Sequence, residues 1–147
     1  MQVVWQCGRI YKAEMDAFMQ AHPQAADVRH SDFLARMDLA YAAADVVISR
    51  SGASSVSEIC AAHKASVLVP SPNVAEDHQT HNAMALVRHD AALLVRDADA
   101  LQTLLPTALE LLADDGRTAS IEANAGAMAL TNAARDIVDE VYKLLDK

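Results

Sequence analysis

Little in this 147-residue chain suits a membrane span, a disulfide framework or a grip on nucleic acid. No run of about 18 apolar residues occurs, so no segment reads as a bilayer-crossing helix. Cysteine appears only as Cys7 and Cys60, a spacing that matches no metal site. Buried thiols in a reducing, cytosolic setting are expected rather than a disulfide. Positive charge is scarce: 12 Lys and Arg against 20 Asp and Glu leave a net charge of −8. That balance argues against nucleic acid as a partner through bulk electrostatics. The acidic surplus is spread along the chain and signals solubility. Repeats, low-complexity segments and internal linkers are absent. The start, Met1-Gln2-Val3-Val4-Trp5-Gln6, lacks the charged opening and long apolar region of a secretory signal. It enters strand-like sequence at once, which suggests that an upstream part of a larger protein is missing.

What is present is one domain's worth of chain, 52% hydrophobic and rich in Ala, enough for a packed core. Short β-branched runs alternate with helical spacing. Val3 to Cys7, Asp27 to His30, Val46 to Ile48, Ser66 to Val69 and Ala91 to Val95 read as strands. Tyr11 to Ala21, Met37 to Ala43, Ser54 to His63 and Gln79 to Val87 read as helices, followed by helices over 98–113, 116–128 and 131–145. The last is strongly amphipathic, with Ile137, Val138, Val141, Leu144 and Leu145 on one face. This alternation predicts an α/β fold: a Rossmann-like parallel sheet with helices on both faces. Ligands bind such sheets at the carboxyl ends of the strands. The loops Asp32 to Met37, Ser49 to Ser55 and Pro70 to Asn82 all fall there.

The most informative stretch is Asp45-Val46-Val47-Ile48-Ser49-Arg50-Ser51-Gly52-Ala53-Ser54-Ser55-Val56-Ser57-Glu58. A buried strand stops at a small-residue turn and becomes an amphipathic helix. The first amides of that helix have no partner within it, and its start carries a partial positive charge, which suits phosphate. Glu58 lies one turn in, where a carboxylate reaches hydroxyl groups. Ser55-Val56-Ser57-Glu58 also fits a capping box, in which Ser55 and Glu58 satisfy each other's backbone donors. Both readings stand on these residues.

The loop after the fourth strand leads into Asp77-His78-Gln79-Thr80-His81-Asn82. Gln79 and Asn82 share a helix face, and amides there donate to and accept from sugar hydroxyls. A plain polar helix start capped by Asp77 is the reading that composition alone favours. His78 and His81 also share helical spacing, but no third ligand or accompanying Glu motif is apparent, so no metal is expected. No cofactor is expected either.

Arg50-Ser51-Gly52-Ala53-Ser54-Ser55-Val56-Ser57-Glu58, Leu68-Val69-Pro70 and Asp77-His78-Gln79-Thr80-His81-Asn82-Ala83 together resemble the carboxy-terminal half of the MurG family. Gln6-Cys7-Gly8-Arg9-Ile10-Tyr11 and Asp32-Phe33-Leu34-Ala35-Arg36-Met37 fit as well. The resemblance runs along nearly the whole chain, in order. It implies the GT-B architecture, in which two Rossmann-like domains face a cleft and the carboxy-terminal one holds most of the UDP-sugar. The implied activity is inverting transfer of N-acetylglucosamine from UDP-N-acetylglucosamine to the undecaprenyl-linked muramyl-pentapeptide, converting lipid I to lipid II in peptidoglycan synthesis. By similarity, the Leu34 backbone meets the uracil edge, with Phe33 and Met37 shaping that pocket. Ala53, Ser54 and Ser55 hold the diphosphate through helix-start amides and a hydroxyl, Ser51 and Gly52 belong to the same substrate-binding turn, and Glu58 takes the ribose hydroxyls. Gln79 and Asn82 read the sugar, with His78 close by.

Two departures stand out. The family usually has Gly and Pro near the end of the 54–63 helix, where this chain has His63 and Ala65. The glycine-rich loop that usually opens the domain is missing, as is the amino-terminal domain. That domain carries the lipid I surface, the membrane-docking patch and the candidate catalytic base, so no catalytic residue is expected here. The whole chain, 1–147, is then a single donor-binding domain, truncated at its amino-terminal side and inactive alone. The parent enzyme would be cytoplasmic, peripheral at the inner face of the bacterial membrane. Competing readings are a non-catalytic UDP-sugar-binding subunit that works with a separate membrane-associated chain, a UDP-N-acetylglucosamine epimerase, or a structural α/β domain with a vestigial site.

Overall fold

The computed structural model describes residues 1–145 and shows two compact units, Met1–Ala43 and Ala44–Lys147. In the first, β1 (Val3–Gln6) pairs in parallel with β2 (Val28–Ser31), in register from Val3 opposite Val28 to Gln6 opposite Ser31. Helix α1 (Lys12–Ala21) makes the crossover that parallel pairing demands, and α2 (Met37–Ala43) closes the unit. Gly8 turns the chain out of β1 at φ 81°, and nothing lies within 4 Å of where a Cβ would stand. Glycine is needed there for the backbone angle and not for space. Asp16 ties α1 to β2: it accepts from Lys12 Nζ at 2.6 Å and lies 2.7 Å from His30 Nε2. The Lys12 ammonium, with His30 behind it, holds the Asp16 carboxyl below the usual carboxylate range. Lys12 is raised in return, chiefly by its bond to Asp16.

The second unit has a real interior. Strands β3 (Val47–Ser49), β4 (Ser66–Leu68) and β5 (Leu93–Leu94) form a parallel sheet in the order β3-β4-β5. Helix α3 (Ala53–Ala61) joins β3 to β4, and α4 (His78–Val87) joins β4 to β5. Three helices follow: α5 (Ala100–Leu112), α6 (Asp115–Ala127) and α7 (Ala133–Leu145). The central strand is buried throughout. Ala65, Val67 and Val69 alternate onto one face, where they pack with Val95, with Ala108 and Leu111 of α5 and with Ile121 of α6. Pro106 sits inside α5 on its exposed side, so the helical bond it cannot donate is lost where water replaces it.

The parallel, helix-flanked architecture agrees with the sequence, but its layout differs in two ways. Among the described residues the strands form two sheets and not one, and the run 91–95 yields only Leu93–Leu94 as strand. Ala91, Ala92 and Val95 are buried beside it, so their apolar character reflects burial, and the Val95 amide still donates to the Leu68 carbonyl at 3.0 Å. His63 stands at φ 52°, a left-handed backbone that glycine adopts more readily. Its ring lies over Gly126 of α6, where a Cβ would come within 2.5 Å of Nδ1. The departure from glycine at His63 is thus matched by a glycine opposite. Helix α7 is amphipathic as its sequence predicts, and its apolar residues Ile137, Val138, Val141, Leu144 and Leu145 are all exposed. No helix of the described residues is long and apolar enough to cross a membrane. Cys7 and Cys60 are both buried free thiols, and burial raises the Cys60 pKa.

Candidate functional site

The turn between β3 and α3 is where the sequence places its strongest signal. Val47-Ile48 ends as strand because the residues that follow are small and polar. The helix begins at Ala53, with Gly52 as its N-cap in extended backbone (φ −62°, ψ 152°) and no side chain capping it. The first helical hydrogen bond runs from the Val56 amide to the Gly52 carbonyl at 3.0 Å. The amides of Ala53, Ser54 and Ser55 therefore precede any intrahelical acceptor, at the positive end of the helix dipole. Ala53 and Ser54 are exposed and Ser55 is half-buried, so these donors are within reach of a ligand.

The capping box read from Ser55 and Glu58 is not what forms. Ser55 is the third helical residue and not the cap. A stretch of small residues offers several possible caps, and the chain uses the earliest. Gly52 is also not there for strain: its φ is ordinary, and an added Cβ would meet only Ser55 Oγ, at 3.8 Å. Glu58 is exposed, one helical turn on from Ser54, about 6 Å along the axis.

Two hydrogen bonds join this turn to α4, and a third ties the loop after β4 to the same helix. Ser51 is fully buried, and its Oγ–H donates to the Gln79 carbonyl at 2.7 Å. Asn82 Nδ2 donates to the Ser51 carbonyl at 3.0 Å. Gln79 Oε1 accepts from the Ser71 amide at 2.9 Å, which fastens the loop after β4 as well. Ser51, Gln79 and Asn82 are thereby brought together, and the two amides remain half-exposed. Asp77 occupies the N-cap of α4, as its reading as a cap expects, yet its carboxylate bonds the Thr80 hydroxyl at 2.6 Å and no backbone amide. Glu76 and Asp77 are consecutive left-handed residues, at φ 51° and 52°. Such residues cost roughly 1–3 kcal/mol each and tend to gather at functional turns. His78 is exposed, 3.7 Å from the Glu76 carboxylate. Among the described residues no three His, Cys, Asp or Glu side chains gather as a metal site.

Arg50 is a residue the sequence reading passed over. Its Nη1 donates to the Val69 carbonyl at 3.2 Å, to the Pro70 carbonyl at 3.4 Å and to Asp97 Oδ1 at 2.5 Å. One guanidinium thus pins the exits of β3 and β4 to the turn after β5. An Arg placed directly after a strand was the available signal; its partners come from distant segments and left none.

Phe33, Leu34 and Met37 belong to the first unit. Phe33 is 61% exposed, an unusual position for an aromatic ring, and Met37 is half-buried at the start of α2. The Leu34 amide donates to Gln6 Oε1 at 2.8 Å, across from the end of β1.

With this geometry in place, known proteins supply the context. Residues 1–141 match the profile of the glycosyltransferase family 28 C-terminal domain. The UDP-N-acetylglucosamine--N-acetylmuramyl-(pentapeptide) pyrophosphoryl-undecaprenol N-acetylglucosamine transferase of Parabacteroides distasonis is 51% identical over 147 residues, which is 100% of this chain and 40% of that protein. The protein of the same name from Bacteroides thetaiotaomicron is 45% identical over 146 residues, 99% of this chain and 39% of its own length. The crystal structure of Acinetobacter baumannii MurG superposes with a TM-score of 0.84 at 29% identity, covering 97% of this chain and 41% of that one. The chain thus spans about two-fifths of the length of these relatives and corresponds to their C-terminal part. It has the Rossmann-like fold of a GT-B glycosyltransferase half. The chain belongs to the glycosyltransferase family 28 C-terminal domain family.

Proposed function

We propose that this chain is the UDP-N-acetylglucosamine-binding half of an inverting glycosyltransferase that converts lipid I to lipid II. The observation that carries the reading is the uncapped start of α3, where the amides of Ala53, Ser54 and Ser55 face an accessible edge and Glu58 follows one turn later. A diphosphate supplies the acceptors those amides lack, and a carboxylate one turn on suits ribose hydroxyls. Gly52 supports this. Neither its backbone nor its neighbours require glycine, so a bare Cα there leaves room for a ligand's close approach. In the first unit, the Leu34 amide is already engaged by Gln6, which leaves the Leu34 carbonyl to meet a ring N–H of uracil. Phe33 and Met37 supply apolar surface for that ring.

During transfer, negative charge grows on the departing diphosphate. Donors fixed beforehand at the start of α3 stabilise it without reorganising. The acceptor lipid, the base that deprotonates its hydroxyl and the contact with the inner membrane face are assigned to the portion of the relatives that this chain does not span. The chain alone is accordingly expected to bind donor and to transfer nothing.

Calorimetric titration tests this reading. Saturable binding of UDP and UDP-N-acetylglucosamine, lost or weakened in Glu58→Ala, is the expected result. A folded Glu58→Ala that binds UDP as well as the parent removes the ribose assignment. Turnover of a lipid I analogue by the purified chain removes the division of labour.

A further inference from the structure

We infer that Ser51 is a positioning residue: by tying the β3–α3 turn to α4, it fixes the polarity with which Gln79 and Asn82 face a bound sugar. The inference rests on the nucleotide-sugar reading above and specifies how that site discriminates. Ser51 is 0% exposed, so its hydroxyl acts through its protein partners and not by touching a ligand. Those partners settle which way both amides point. Ser71 offers an N–H, which only the oxygen of Gln79 accepts. Ser51 offers a carbonyl, which only the nitrogen of Asn82 satisfies. What remains for a ligand is the NH2 of Gln79 and the oxygen of Asn82. One turn of helix therefore displays a donor at 79 and an acceptor at 82.

A free amide flips to suit whichever hydroxyl arrives, and so discriminates poorly. Two amides held in opposite polarity demand one hydroxyl that accepts and a neighbour that donates, at a fixed separation. A sugar with one of those hydroxyls inverted leaves a polar group of the site unpaired, which costs affinity. The Ser51 hydroxyl keeps this arrangement rigid because it holds the first turn of α4 at the Gln79 carbonyl, between the two amides.

The test is a set of calorimetric titrations of the full chain with UDP, UDP-N-acetylglucosamine and its C4 epimer UDP-N-acetylgalactosamine. The parent is expected to prefer the gluco sugar. Ser51→Ala should shrink that preference roughly 3- to 10-fold, with UDP alone as the reference that separates any loss at the nucleotide end from loss at the sugar. Asn82→Asp keeps the outward oxygen but replaces the nitrogen that bonds Ser51, and should lose preference in the same way. It serves as the second probe if Ser51→Ala does not fold. Ser51→Cys, which retains a weak donor, should recover part of the preference. Ser66, the other fully buried serine among the described residues, has an Oγ without a hydrogen-bond partner among them, so Ser66→Ala should leave the preference unchanged. A folded Ser51→Ala with full preference overturns the inference, as does an equal loss in Ser66→Ala. A parent that binds UDP but does not distinguish the epimers overturns the inference alone. A parent that binds no uridine nucleotide overturns the nucleotide-sugar reading and this inference with it.

Discussion

The two units solve the folding problem differently. In Ala44–Lys147, Ile59, Val67, Leu68 and Leu111 lose all contact with water, and the sheet has helices packed around a continuous core. In Met1–Ala43, Cys7 is the one buried residue, while Val4, Trp5, Ile10, Tyr11, Phe18 and Phe33 are exposed. A segment of that length is below what a hydrophobic core of its own normally needs. It relies on the β1–β2 ladder and on the Lys12–Asp16–His30 tie. The proposed diphosphate, ribose and sugar contacts thus stand on the well-packed unit, and the proposed uracil contacts on the poorly packed one. Binding energy at the uracil end carries a larger ordering cost.

This contrast breaks most visibly under core truncation. Leu68→Ala should cost roughly 2–5 kcal/mol in denaturant unfolding, against less than about 1 kcal/mol for Phe18→Ala on the half-exposed face of α1. Equal costs would erase the distinction. Trp5 is the single tryptophan and lies in β1, so its fluorescence follows the first unit while far-UV circular dichroism is weighted toward the helices of the second. The fluorescence transition should come at lower denaturant; coincident curves would mean the two units unfold as one.

Next in size is Glu58→Ala. Hydrogen bonds to a charged carboxylate contribute about 1.5–3 kcal/mol, so UDP should bind roughly 10- to 150-fold more weakly. Gly126→Ala should cost about 1 kcal/mol, because its methyl displaces the His63 ring, and His63→Gly in the same chain should restore the loss. Additive effects would show that the two residues are not coupled.

The smallest effect belongs to Asp16. Its carboxyl pKa is lowered in the folded chain by Lys12 and then His30, so the tie is complete above the ordinary carboxylate range near 4. It weakens as pH falls through the lowered folded value. Trp5 pairs across the ladder with His30 and should report that change below about pH 4. Asp16→Asn should abolish the acid step; a step that survives comes from elsewhere.

Much of this was legible in the sequence, for local reasons. Ser66-Val67-Leu68-Val69, stopped by Pro70, is short, rich in Val and bounded, and it became the buried centre of the sheet. The amphipathic pattern of α7 emerged as a helix with one apolar face. What the sequence did not reveal depends on residues that meet from far apart. Division of the strands into two sheets depends on which ladders form and not on the period of any one strand. The capping box failed because Gly52, Ser54 and Ser55 are all competent caps and only the path of the turn selects among them. The Ser51 tie and the Arg50 bridge span 28 and 47 residues of sequence, beyond any local motif.

The central claim is that the start of α3 receives a diphosphate, and backbone amide NMR during a UDP titration addresses it most directly. The account predicts saturable shifts that are largest at the amides of Ala53, Ser54 and Ser55, with Glu58→Ala needing more UDP to reach the same shifts. Saturation by UDP with those three amides unmoved would contradict it.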